Sequence, residues 1–137
     1  MKYKKFAYVL LAVISVGNAG VVPCNGFKIY FKNKSPLTLI RNQAFLSGGG
    51  IYTQDPLVLE PNDEQFFTVN QSNEDRDMLA NFLFLTSLKD IDGQKINFTL
   101  RNKGLYCKVS NISTSGNLKI HSHRDLGGVV FSIGSPS

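Results

Sequence analysis

The stretch Ile96-Asn97-Phe98-Thr99-Leu100-Arg101-Asn102-Lys103-Gly104-Leu105-Tyr106-Cys107-Lys108-Val109 decides how the chain is read. Apolar residues alternate with polar or amphipathic ones on both sides of Arg101 to Gly104. A period of two puts Ile96, Phe98 and Leu100 on one face of a strand and Asn97 and Thr99 on the other. With a four-residue loop, Leu100 stands opposite Leu105, Phe98 opposite Cys107 and Ile96 opposite Val109, so all six face one core. Cys107 then points inward from a central hairpin.

The residues on either side repeat this grammar. Phe27 to Phe31 alternates, and Asn33-Lys34-Ser35-Pro36 turns the chain into Leu37 to Arg41. Gln43 to Gln54 reads as a loop holding Gly48, Gly49 and Gly50. Strands are expected at Leu57 to Leu59 and at Glu64 to Val69, where Phe66 and Phe67 take opposite faces. Ser72 to Asp75 has capping-box spacing for one helical turn. Asn81 to Thr86 is a strand whose Phe82-Leu83-Phe84-Leu85 reads as buried on both faces. Asn111 to Asn117 reads as a polar loop, before last strands at Leu118 to Ser122 and Gly128 to Ile133. Short strands at this spacing with almost no helix predict an all-β, mainly antiparallel two-sheet sandwich of eight or nine strands in a single domain.

The chain has 137 residues, and its first nineteen have the form of a secretory signal. Lys2, Lys4 and Lys5 precede the apolar run Phe6 to Val16, and Gly17-Asn18-Ala19 offers small residues for cleavage. That run is shorter than the about 20 residues a membrane span needs. The expected mature domain is Gly20 to Ser137, and the lysine-led signal suits bacterial export. The two cysteines of such a chain read as one disulfide, Cys24 to Cys107. The alternative is a lipid on Cys24, but Val21-Val22-Pro23 is not a lipobox.

Without the three signal lysines the formal charge falls from +5 to +2, which disfavours nucleic acid as a partner. The remaining charge is segregated in sequence. Nine carboxylates lie between Asp55 and Asp92, and ten basic residues lie in the flanks Lys28 to Arg41 and Lys95 to Arg124. If the flanking strands interleave with the acidic middle, the charges mix; if not, the molecule has one basic and one acidic side.

Three places offer chemistry. His121-Ser122-His123-Arg124-Asp125 puts His121 and His123 on one strand face, with Asp125 there too if the strand continues toward Gly127-Gly128, an arrangement that suits zinc or copper at an open site. The plainer reading is an outward face with two exposed histidines. Asp90-Ile91-Asp92-Gly93 lacks the further ligands of a calcium loop and reads as a turn. No Gly-x-Ser-x-Gly elbow is present. Four Asn-x-Ser/Thr sequons begin at Asn33, Asn70, Asn97 and Asn111, and matter only in a eukaryotic secretory route. The third place is the glycine loop. Phe45, Gly48, Gly49, Gly50, Ile51 and Tyr52 form a flexible segment with aromatic shoulders, able to insert at a lipid interface or close over a ligand. Lys32, Lys34 and Arg41 are its charged support. The opposing reading packs Phe45 and Tyr52 inward at strand ends.

Ile29-Tyr30-Phe31-Lys32-Asn33-Lys34-Ser35-Pro36-Leu37-Thr38-Leu39, Gly50-Ile51-Tyr52 leading to Pro56 to Pro61 and Phe66-Phe67, and the closing Leu126 to Ile133 resemble the secreted aegerolysin and actinoporin-like β-sandwiches. The resemblance spans most of the mature chain and implies a sandwich fold and lipid recognition. The tryptophans of those families are missing, and no binding residue transfers by motif. The expectation is a secreted, non-enzymatic binding module for a membrane lipid, a glycan or a host or envelope protein. The alternative is a small metal-dependent or hydrolytic enzyme built on His121 and His123.

Overall fold

The structure, a computed structural model, describes residues 22–71, 76–88 and 93–136. The expected signal segment, the capping-box turn and the Asp90-to-Asp92 turn lie outside them. Ten strands run in chain order: β1 (Lys28–Asn33), β2 (Leu39–Ser47), β3 (Gly50–Tyr52), β4 (Val58–Leu59), β5 (Glu64–Asn70), β6 (Met78–Thr86), β7 (Gln94–Lys103), β8 (Tyr106–Ser115), β9 (Leu118–Asp125) and β10 (Gly128–Pro136). Sheet I has the order β3-β5-β1-β10-β9 and sheet II the order β4-β2-β6-β7-β8. All pairs are antiparallel except β1 with β10. The architecture is the expected two-sheet sandwich with one disulfide, Cys24 to Cys107.

Phenylalanines fill the space between the sheets. Phe31, Phe67 and Phe131 come from sheet I, and Phe82, Phe84 and Phe98 from sheet II. Phe31 is the hub, with ring centroids 4.7 Å from Phe82, 5.0 Å from Phe84 and 5.6 Å from Phe131. Tilted, edge-on and offset contacts at these distances add to the area term of burial. Ile29, Leu39, Met78, Ile96, Leu100 and Ile133 close the core around them.

The alternation in β7 holds, with Ile96, Phe98 and Leu100 all buried. The hairpin register does not. Lys103 faces Tyr106, Asn102 faces Cys107 and Leu100 faces Val109, so the loop is only Gly104-Leu105. A two-residue hairpin favours a positive φ at its first loop position, and Gly104 supplies φ 62°. Moving the turn by two residues shifts each partner by four and preserves the side-chain face. Cys107 therefore still points inward, while Leu105 moves from the core to the turn and is exposed.

Three further expectations change. Gln43 to Gln54 is not a long loop: β2 runs to Ser47, Gly48 and Gly49 make a corner from sheet II to sheet I, and Gly50–Tyr52 is a tenth strand. Asn111 to Asn117 is mostly strand, because β8 pairs with β7 as far as Ser115 opposite Lys95. Of Phe82 to Leu85 in β6 only Phe82 and Phe84 face the core, while Leu85 sits outside in a row with Ile40 and Val58.

Because β5 lies in sheet I beside β1 and β6 lies in sheet II beside β7, the acidic middle interleaves with the basic flanks. Glu64 pairs with Lys32 across the ladder, and Asp77 Oδ2 lies 2.7 Å from Arg101 Nη2. One end of the sandwich is tied by a polar chain. Gln71 Nε2 donates to Gly48 O, Asn102 Nδ2 donates to Gln71 Oε1 at 2.7 Å, and the Cys24 amide donates to Asn102 Oδ1 at 2.8 Å. That chain and the disulfide join the glycine corner, the N-terminal turn and the β7–β8 hairpin.

Candidate functional site

Tyr52 is the wall between two clefts at the β3 edge of the sandwich. It is 61% exposed and stands opposite Thr68 on the outer face of sheet I. Three residues of β3 are enough to aim it, because Ile51 is turned inward against the core cluster and period two then sends Tyr52 outward.

On the outer-face side lies a groove of about 230 Å³ lined by Tyr52, Phe66, Lys28, Thr68, Gln54 and Asp55. Its floor is aromatic. Phe66 supplies it, and Tyr30, outside the groove, packs beside Phe66 with ring centroids 5.6 Å apart and planes tilted by 37°. Lys28 Nζ sits 5.2 Å above the Phe66 ring and donates to Thr68 Oγ1 at 3.2 Å. Gln54 Nε2 donates to Tyr52 Oη at 2.9 Å and fixes the phenol. Asp55 Oδ2 accepts from the Phe66 amide at 2.7 Å, which ties the 53–57 segment to β5. An ammonium, a carboxylate, an amide and two hydroxyls thus ring a half-exposed aromatic surface.

On the other side a cleft of about 400 Å³ opens between β2 and β3, lined by Arg41, Gln43, Ile51, Tyr52, Leu57 and Phe67 among others. Arg41 stands opposite the core residue Phe84, in phase with buried Leu39, and so points to the inter-sheet edge. Its guanidinium lies 5.1 Å from the Phe67 ring centroid and donates to Gln65 Oε1 at 3.0 Å, while Gln65 Nε2 donates to Pro56 O. Partial burial lowers the Arg41 pKa from its ordinary value, and the Asp55 charge works against that shift. Arg41 and Gln65 plug the edge of the core, and Arg41 presents a cation to the cleft floor.

Of the residues singled out from sequence, Gly48 to Tyr52 form one continuous corner and strand. Phe45 does not join them: it is 52% exposed but lies on the outer face of sheet II, opposite Asn81. Lys32 is on the outer face of sheet I, beside Glu64 and Ser132. His121, His123 and Asp125 are exposed on outward positions of β9, on the same face as Tyr52. Tyr52, Thr68, Lys28, Gly128 and Asp125 even share one row. But β3 and β9 are the two edges of sheet I, four strand spacings or roughly 19 Å apart. Among the described residues, no group of three His, Cys, Asp or Glu side chains is placed to hold a metal ion. Sequence reading missed Phe66 and Lys28, which line the groove with Tyr52. The signal was available in the outward phase of β1 and β5, but only the pairing of β3 onto β5 joins them.

No known family model and no curated protein sequence matches this chain. The site is therefore read from its own geometry.

Proposed function

We propose that this chain is an exported, non-enzymatic binding module, and that the groove beside Tyr52 takes a sugar ring of a surface glycan. The observation that carries this reading is the pairing of half-exposed aromatic faces with a ring of polar groups in one small groove. The apolar C–H face of a sugar packs on Tyr52 and Phe66, and its hydroxyls meet Lys28, Thr68, Gln54 and Asp55. The strands beneath are paired on both sides in β5 and β1, so the groove is preformed and little entropy is lost on binding. The Cys24–Cys107 disulfide fits an oxidising compartment, and the amino-terminal pattern supports export to it.

The test is a glycan array probed with the mature, oxidised protein, followed by calorimetry on the best ligand. Saturable binding that falls at least about tenfold in Tyr52→Ala supports the reading. Absence of glycan binding, or equal affinity in Tyr52→Ala, overturns it.

A further inference from the structure

Two tight hairpins at one end of the sandwich each present a leucine with nothing to pack on. Leu105 in the Gly104-Leu105 loop is 89% exposed, and Leu126 in the Leu126-Gly127 loop is 100% exposed. Turn positions are ordinarily polar or glycine, and Gly104 and Gly127 already supply the positive φ that each loop needs. The leucines therefore contribute nothing to the turns themselves. Both tips border one cleft of about 390 Å³, so they project from the same end of the molecule. Tyr106, exposed beside Leu105, adds an amphipathic ring of the kind that settles at a membrane interface.

The charges around the tips select the partner. Among the described residues, Lys103, Lys108 and Arg124 are exposed next to the leucines, with Asp125 beside Arg124 and with Asp77 paired to Arg101, which stands opposite Lys108. Arg124 is held in place, with its guanidinium 5.4 Å from the Phe27 ring centroid and its Nε donating to Gly128 O at 3.2 Å. The end is also rigid, because the disulfide anchors the β7–β8 hairpin to the N-terminal turn and Cys24 bonds to Asn102. Rigid apolar tips in a cationic collar match a surface that is apolar within and anionic outside.

We infer that this end of the sandwich docks on an anionic lipid bilayer, with Leu105, Leu126 and Tyr106 entering the headgroup–acyl boundary and Lys103, Lys108 and Arg124 facing the lipid charge. The inference is independent of the glycan groove, which opens on the outer face of sheet I. A second copy of the chain is a poorer occupant, because two such ends would bring like charges together.

Vesicles of phosphatidylcholine with and without phosphatidylserine test this by co-sedimentation with the mature protein. The expected result is binding to the phosphatidylserine vesicles that weakens with added salt, as screened surface charge requires. The combined variant Leu105→Ser and Leu126→Ser lowers the partition coefficient by roughly tenfold or more. Its melting temperature stays at the wild-type value, since both side chains are in solvent. Lys103→Gln with Lys108→Gln removes most of the preference for phosphatidylserine. No binding to either vesicle, or equal partition of the leucine variant, overturns the inference. So does self-association of the wild type that the leucine variant abolishes without any vesicle binding. Pure-lipid vesicles carry no glycan, so either result leaves the glycan reading to be judged on its own experiment.

Discussion

Phe45 and Tyr52 stand on opposite outer faces of the sandwich, Phe45 across from Asn81 on sheet II and Tyr52 across from Thr68 on sheet I. The corner at Gly48 and Gly49 carries the chain from one sheet to the other, so two aromatics that flank one glycine run in sequence are separated by the full thickness of the core. No single flat partner meets both. The expected outcome is asymmetric. Tyr52→Ala weakens glycan binding, whereas Phe45→Ala leaves it at the wild-type level. Both side chains are largely in solvent, so each variant unfolds within about 0.5 kcal/mol of the parent. Calorimetric titration alongside thermal melts checks the pair. Equal losses of affinity in both variants would show that the contact surface is not the Tyr52 groove.

The disulfide joins residues 83 apart, with a Cα–Cα distance of 4.7 Å. Replacing both partners, Cys24→Ser with Cys107→Ser, is expected to cost about 2–5 kcal/mol. For a domain of this size that lowers the melting temperature by roughly 10 °C or more. The double variant avoids the unpaired thiol that a single replacement leaves behind. Chemical denaturation under oxidising conditions measures the loss, and adding reductant to the parent protein should reproduce it.

The side-chain faces were legible where apolar and polar residues alternate, and not in β6, whose outer face carries Leu83 and Leu85. Period two put Phe66 and Phe67 on opposite faces, of which Phe67 is the buried one, and it oriented Ile96, Phe98 and Leu100 correctly. The second half of β8 was not legible, because Asn111 to Ser115 are exposed on both faces and leave no hydrophobic alternation to read. The hairpin register failed for a related reason. Leu105 is apolar but sits in a turn, and a pattern argument assigns every apolar residue to the core. Gln65 and its bond to Arg41 were missed because a polar pair between sheets has no periodic signature; only the packing of sheet I on sheet II brings them within 3.0 Å. The Tyr52 groove was half legible. Tyr52 itself stood out, but Phe66 and Lys28 join it through strand pairings between residues far apart in sequence.

Asn33 shows how a sequon can belong to the fold. Its side chain is fully buried, with Nδ2 donating to Leu37 O at 2.7 Å and to Leu59 O at 2.9 Å. Oδ1 accepts from the Ser35 amide and hydroxyl. A glycan on that nitrogen has no room. Asn33→Asp keeps the shape but replaces the two-proton donor with a carboxylate oxygen facing two carbonyls. The expected loss is roughly 3 kcal/mol, visible as a drop in the urea midpoint. Lowering the pH should return part of it, because a buried carboxyl with one oxygen facing two carbonyls favours its protonated form. A variant as stable as the parent at neutral pH would show that the Asn33 amide is not what holds the 33–37 turn to β4.

The three consecutive glycines differ in what they permit, and this separates a packed corner from a mobile loop. Gly48 has φ 80°, and a Cβ built there would lie 2.7 Å from Asp77 O. Both the conformation and the contact resist a side chain, because the Asp77 carbonyl is backbone and cannot swing away. At Gly49 the Cβ would meet Met78 Sδ at 2.7 Å and Asn70 O at 3.0 Å. The thioether can move, but the Asn70 carbonyl belongs to β5. Gly50 has nothing within 4 Å and no positive φ. Gly48→Ala is therefore expected to destabilise by about 2–4 kcal/mol and Gly49→Ala by about 1–2 kcal/mol. Gly50→Ala should be neutral or stabilising by up to about 1 kcal/mol, because it restricts only the unfolded chain. Three melts rank them. If the segment were a flexible ligand loop, all three substitutions would leave stability alone and change affinity instead. A graded loss in the order Gly48, Gly49, Gly50 identifies the run as the joint that lets β2 cross to sheet I and set Tyr52 on its outer face.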